Sequence, residues 1–230
     1  MIHYHGTPIT PLTQLHTMAG KHFCVSFFRP DQLNYCVGLG QSLMLDNGAY
    51  SFYTKQDRSF VARDYYDWLE PVLAAPTWAV IPDEIGGTIE DNLAHIEQWP
   101  YPDSVSGVVW HLNESIDHLL RLAQVHSRVC FGSAGEYWDV GRGAWANRVD
   151  EAFNALAKEH PRLPWVHMMR GLGLVGERWP FASADSTNVA RHCGDPNRRN
   201  RDAGTMATEI DAQQCPTRWT ERPIQRDIEL

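Results

Sequence analysis

Residues 107–131 read Gly107-Val-Val-Trp110-His-Leu-Asn-Glu-Ser115-Ile-Asp-His-Leu-Leu120-Arg-Leu-Ala-Gln-Val125-His-Ser-Arg-Val-Cys130-Phe131. An apolar run too short for a helix, Gly107–Trp110, is followed by helical spacing over Ile116–Val125 and then by a second short run, Arg128–Phe131. Strands buried on both faces lose the polar–apolar alternation and read as continuous apolar runs, which is the mark of a parallel sheet. Asn113–Ser115 supplies a helix entry, since a side-chain oxygen there accepts from backbone N–H groups that have no partner within the helix. The stretch is one strand–helix–strand unit.

Outward from it the alternation continues. Runs at Ile2–Tyr4, Phe23–Phe27, Leu43–Leu45, Trp78–Ile81, Trp165–Met169 and Phe181–Ala184 bring the strand candidates to eight. Helical spacing recurs over Val61–Leu73, Ile89–Trp99 and Trp145–His160, the last stopped by Pro161. This pattern predicts an α/β fold, a compact (β/α)8 TIM-like barrel with shortened helices; a doubly wound open sheet is the alternative. The connections Thr10–Gly20 and Pro30–Ser42 are the least periodic. The expected division is a catalytic barrel over residues 1–204 and a wrapping tail over 205–230, interrupted by Pro216 and Pro223 and not a separate domain.

Composition sets outer bounds. At 230 residues, 43% hydrophobic and 21% charged, the chain has enough apolar material for one full-sized core. No run reaches the length of a membrane span, and Met1–Pro11 has neither a basic nor an apolar leader segment, so a non-membrane, cytoplasmic protein is expected. Five cysteines without a CxxC pair fit a reducing compartment and encode neither a disulfide framework nor a regular zinc site. The net charge of −8 opposes indiscriminate polyanion binding, so a nucleic acid must be met by a local patch. Arg191, Arg198, Arg199 and Arg201, set against the single acid Asp195, are that patch, or else a solvated loop.

In a parallel barrel the loops after the strands share one rim, where α/β enzymes hold their chemistry. Three strand ends carry an acid: Asp46 in Leu-Asp-Asn-Gly-Ala-Tyr, Asp83 in Ile-Pro-Asp-Glu-Ile-Gly-Gly and Asp185 in Ala-Ser-Ala-Asp-Ser-Thr-Asn. Carboxylates converging on one mouth repel each other and separate in pKa, which suits glycosyl chemistry: one attacks an anomeric carbon while another moves protons. Each acid also has a plain structural reading, as a turn at Asp46-Asn47-Gly48 or as a helix cap at Asp83 and Asp185. Gly132–Glu136 and Arg170–Gly173 are glycine-rich, and neither GxGxxG nor GxxxxGK[ST] occurs, so nucleotide cofactors lack support.

In their order these motifs resemble the tRNA-guanine transglycosylase superfamily, most closely the DNA 7-deazaguanine transglycosylases (DpdA-like proteins) of phages and bacterial modification islands. Leu-Asp-Asn-Gly-Ala-Tyr is similar to the family's Asp-Ser-Gly-Gly-Phe-Gln, which implies proton handling or substrate positioning by Asp46. Ile-Pro-Asp-Glu resembles the family's Phe-Asp-Glu, which implies that Asp83 reads a guanine or deazaguanine edge. Gly132, Gly135 and Glu136 fall in a segment like Gly-Gly-Leu-Ala-Val-Gly-Glu, while Met169 and Gly171 fall in one like Leu-Met-Gly-Val-Gly; both imply a base pocket. Asp185, in Asp-Ser-Thr-Asn-Val-Ala-Arg, resembles the nucleophile motif. Gly107–Trp110 stands where the family has Gly-Ile-Val-Gln, so Trp110 or His111 replaces a base-reading glutamine. The family's Cys-x-Cys-x-x-Cys zinc site has no counterpart; His192, Cys193 and Cys215 are a partial set with the wrong spacing, and no cofactor is expected.

The resemblance implies exchange of guanine in DNA, or less favourably tRNA, for a 7-deazaguanine base through a covalent aspartyl-glycosyl intermediate. A DNA-opening helper would offset the cost of base flipping. Tyr50, Phe52, Trp110 and Tyr137 are the rings placed to stack on the base. Two other readings stay open: an ADP-ribosyltransferase-like site at the His3-Tyr4-His5-Gly6-Thr7 start, and a nucleic-acid-binding barrel without catalysis. A generic sugar hydrolase would use the same acids.

Overall fold

A computed structural model describes residues 1–55, 59–174, 176–193 and 201–223. Eight strands, β1 (Ile2–Gly6), β2 (His22–Ser26), β3 (Ser42–Asp46), β4 (Trp78–Val80), β5 (Ser106–His111), β6 (Arg128–Gly132), β7 (Trp165–Met168) and β8 (Ser183–Ser186), pair in sequence order and all in parallel. β8 closes on β1 with Tyr4 opposite Asp185, so the sheet is a closed barrel and the open-sheet alternative is excluded. The helices between strands are α1 (Leu12–His16), α2 (Leu33–Leu39), α3 (Ala49–Lys55), α4 (Ala62–Leu69), α5 (Ile89–Glu97), α6 (Ile116–Val125) and α7 (Gly143–Glu159), followed by α8 (Asn188–His192) and α9 (Ala203–Asp211). Several are only five to seven residues long, the shortened form expected.

Register divides each strand between two cores. Tyr4, Cys24, Met44, Trp78, Val80, Val109 and Cys130 form one cluster inside the barrel, and their strand neighbours pack outward against the helices. The interior is filled: Trp78 Nε1 donates to the Tyr4 hydroxyl at 2.9 Å, and the Arg128 guanidinium lies 4.6 Å from the Trp78 ring. Gly107 makes room for that indole, since a Cβ there would fall 2.6 Å from Trp78 Cζ3. The lower half is a packed plug, so only the rim at the strand ends can be hollow.

The tail boundary at 204/205 needs correction, because it cuts through α9. Asp202 caps that helix by accepting from the Thr205 N–H at 2.9 Å, and Met206 and Ala207 are buried against α1, α8 and β1. Periodicity was weak there because small residues, Ala203, Gly204 and Ala207, form much of the buried face. Among the described residues no helix is long and apolar enough to cross a membrane.

Candidate functional site

The three strand-end acids meet. Asp46, the last residue of β3, Asp83, just past β4, and Asp185, in β8, line one cavity of about 540 Å³ at the mouth of the barrel. Neither Asp83 nor Asp185 caps a helix. Thr88 forms a capping box with Asp91 at α5, and α8 begins after Thr187 without a side-chain cap, the Ser186 hydroxyl accepting from the Asn188 N–H in a local turn. At Asp46 turn and site coincide: Oδ2 accepts from the Gly48 N–H at 3.0 Å, and Gly48 takes a φ of 78° that favours glycine.

Each carboxylate has a different environment. Burial pushes the Asp46 carboxyl up to about 7; the Ser26 hydrogen bond opposes this, and the nearby charges of Asp185 and Asp83 add to it. Asp83 Oδ1 accepts from Asn47 Nδ2 at 2.7 Å, while His111 Nε2 lies 3.1 Å from Oδ2, too poorly aligned for a hydrogen bond. His111 is buried, which works against its charge, yet the Asp83 carboxylate and Glu114 outweigh burial and raise its pKa. Asp185 Oδ1 accepts from the Arg170 N–H at 2.7 Å and lies 3.3 Å from His167 Nε2, a ring buried inside the barrel whose Nδ1 meets Ser183 Oγ at 2.8 Å. Cys24 also lines the cavity, but burial and then the charges of Asp185 and Asp46 push its thiol far up, so it stays protonated. Carboxyls held by different partners around one hollow can divide nucleophilic and proton-transfer roles between them.

His111, Gly132, Met169, Tyr50 and Arg191 also line the cavity. Several expected residues do not. Trp110 is turned outward, fully buried under α6 and α7 with Nε1 donating to the Ser115 carbonyl, so His111 alone takes the place facing the cavity. Gly135 and Glu136 sit exposed in a 3₁₀ turn beyond the wall, and Gly171 is buried against Met168. Arg201 is paired with Glu209, away from the mouth, and Arg198 and Arg199 lie outside the described residues. Phe52 packs on Phe28 and faces a neighbouring hollow of about 410 Å³, while Tyr137 packs beneath Arg148.

Residues that sequence reasoning passed over complete the wall. Arg29, Asn47, Trp138 and Arg170 line the cavity, and His167 supports Asp185 from below. His167 and Asp185 belong to the set of alternate residues that point inward, a parity that becomes visible once Cys130 is paired with His167 and His167 with Ser183. The partial zinc set is scattered: Cys215 is buried in the cluster around α7 and Cys193 packs on the opposite one, so these residues do not fit a zinc ion. Among the described residues no group of three or more His, Cys, Asp or Glu side chains could hold a metal.

No family model, no curated protein and no solved structure matches this chain.

Proposed function

We propose that this chain is a transglycosylase that exchanges guanine in a nucleic acid, DNA in preference to tRNA, for a 7-deazaguanine base. The observation that carries the reading is the meeting of Asp46, Asp83 and Asp185 around one cavity, where burial raises the Asp46 carboxyl to about 7 so that a proton-bearing fraction is present near neutral pH. Both donors to Asp185 act on Oδ1, so Oδ2 is the atom assigned to attack. Oδ2 bonds to C1′ as the C1′–N9 bond breaks, and Asp46 gives its proton to the departing guanine. The incoming base returns a proton to Asp46 as its N9 bonds to C1′ and expels the Asp185 carboxylate. Protons and electron pairs balance without a redox partner. Asp83 and His111 hold the base edge, Tyr50 covers its face, and Arg29 and Arg191 meet the flanking phosphates. Flipping the base costs a few kcal/mol, which a DNA-opening partner would offset.

The ADP-ribosyltransferase reading loses ground because His3 and His5 lie on the outer face of β1, within 3.4 Å and 3.0 Å of Asp211 and away from the cavity. A barrel that only bound nucleic acid would gain nothing from three acids facing its ligand, since they repel phosphate.

The deciding experiment is mass spectrometry of nucleosides from DNA and tRNA of cells that express the chain and are supplied with 7-deazaguanine precursors. A deazaguanine deoxynucleoside is expected with the wild type and none with Asp185→Ala. Wild-type incorporation by folded Asp185→Ala, or no modified nucleoside in either polymer, sinks the proposal.

A further inference from the structure

The residue that holds Asp185 is itself held from across the barrel mouth. Arg170 has a φ of 60°, the one left-handed non-glycine residue among those described. Such a conformation costs energy and persists only where the surroundings over-determine it. Here they do so through the side chain. The guanidinium lies 4.4 Å from the Trp138 ring centroid and 5.2 Å from that of Tyr50, and Nη2 donates to the Ser133 carbonyl at 3.4 Å. The two rings stand in segments that follow β6 and β3, with centroids 5.4 Å apart. Tyr50 and Trp138 keep 42% and 41% of their surface exposed, so the clasp is not core packing.

We propose that Arg170 is a positioning residue: the clasp of Tyr50 and Trp138 on its guanidinium fixes the backbone turn that points its N–H at Asp185. Side chain and N–H share one α-carbon. Releasing the guanidinium frees φ to relax, the N–H turns relative to the side chain, and His167 is left as the remaining neighbour of Oδ1. A flat ring arriving at the mouth competes with the guanidinium for the same two ring faces, so occupancy of the mouth and placement of Asp185 are coupled. That Asp185 is worth placing rests on the nucleophile role proposed above; the coupling does not.

The Arg170 amide reads the coupling directly in ¹⁵N-resolved NMR of the full chain, as a downfield proton that exchanges slowly. Trp138→Ala is expected to move that proton upfield and to speed its exchange on the order of tenfold, the equilibrium equivalent of losing one charge-assisted hydrogen bond. Trp138→Phe, which keeps a ring face, should restore most of both. Arg170→Ala, measured at the same amide, should match Trp138→Ala, and the double variant should add nothing. An amide unchanged in shift and exchange in the folded Trp138→Ala protein overturns the coupling. Should that variant not fold, Tyr50→Ala tests the clasp from its other side with the same two outcomes. The readout needs no turnover, so a failed base-exchange assay and a failed clasp are separate results.

Discussion

Asp46 sits where one carboxyl is asked to be both buried and close to two others, and its displaced pKa has a cost that can be measured. In the unfolded chain it ionises near 4, while in the folded protein burial holds it protonated up to about 7. A group whose folded pKa is raised leaves stability intact below its unfolded pKa and removes it as pH rises through the folded value. A shift of about three units corresponds to at most about 4 kcal/mol, reduced because the cavity admits water. Asp46→Asn keeps an acceptor for the Gly48 N–H and removes the charge. Denaturant unfolding should therefore find Asp46→Asn more stable than wild type at pH 8, by about 1–3 kcal/mol, with the difference closing by pH 4. A constant difference across that range would mean the carboxyl is not displaced. The neighbouring position shows what sequence conceals at this scale. Val108, Val109, Trp110 and His111 are all buried, so hydrophobicity does not reveal which alternate pair faces the barrel interior. Only register places His111 beside Gly132 and turns Trp110 outward.

At the scale of elements, the C-terminal end of α9 is tied to the barrel through one carboxylate, while its first turn donates N–H groups to the Gln14 and Thr17 side chains and its apolar face packs on α1, α8 and β1. Asp211 Oδ1 lies 3.0 Å from His5 Nε2 and 3.4 Å from His3 Nδ1, and Oδ2 accepts from Lys21 Nζ at 2.8 Å. Burial opposes its charge, yet the hydrogen bonds from His3, His5 and Lys21 outweigh it and hold the carboxyl far below the usual range. Asp211→Asn leaves Lys21 and two buried imidazoles facing a neutral amide. It should cost about 2–3 kcal/mol at pH 7, less than a fully buried pair because Asp211 still touches solvent. A depressed pKa adds stability above the unfolded value, about 4, and loses it as pH falls below. The stabilities of wild type and variant, followed by thermal unfolding, should thus begin to draw together only as pH falls below about 4. Equal stability at pH 7 would show that Asp211 adds nothing to what the apolar face and the Gln14 and Thr17 hydrogen bonds supply. Elements of this kind resist reading from sequence. Seven strands announced themselves as apolar runs, while β8, Ser-Ala-Asp-Ser, starts two residues after the start of the expected run Phe181–Ala184 and takes Asp185 into the strand. α6 appears with its expected ends because Ser115 caps a strongly amphipathic helix. α1, α2 and α3 are five to seven residues long, too short to show a period, and they exist because the barrel they cover fixes their ends.

For the whole molecule, the acids were legible because a closed parallel barrel sends every strand end to one rim, so three acids spread over 140 residues of sequence had to converge. The cations were not, since Arg29 follows β2 in a turn with no motif. Arg29 follows β2 and Arg191 lies in α8 after β8, so the two flank the end of β1, with Asp46 at the end of the next strand beyond β2. The chain as a whole carries −8 and repels a polyanion at long range. Affinity for a strand of DNA must then come from a few contacts at the mouth, each releasing counterions from one phosphate. For single strands a phosphate contact adds about −0.7 to the slope of log affinity against log salt. Removing Arg191 as Arg191→Ala should make that slope shallower by about 0.7, and Arg29→Ala by the same amount less what its partner Asp31, 3.1 Å away, already neutralises. Salt also screens the repulsion from the rest of the surface, so with both arginines gone, added salt should weaken binding little or even strengthen it. Fluorescence anisotropy with a labelled guanine-containing strand, titrated from low to moderate salt, measures all three slopes. An unchanged slope in the double variant would place the phosphate contacts elsewhere and leave the two arginines as cavity walls without a ligand role.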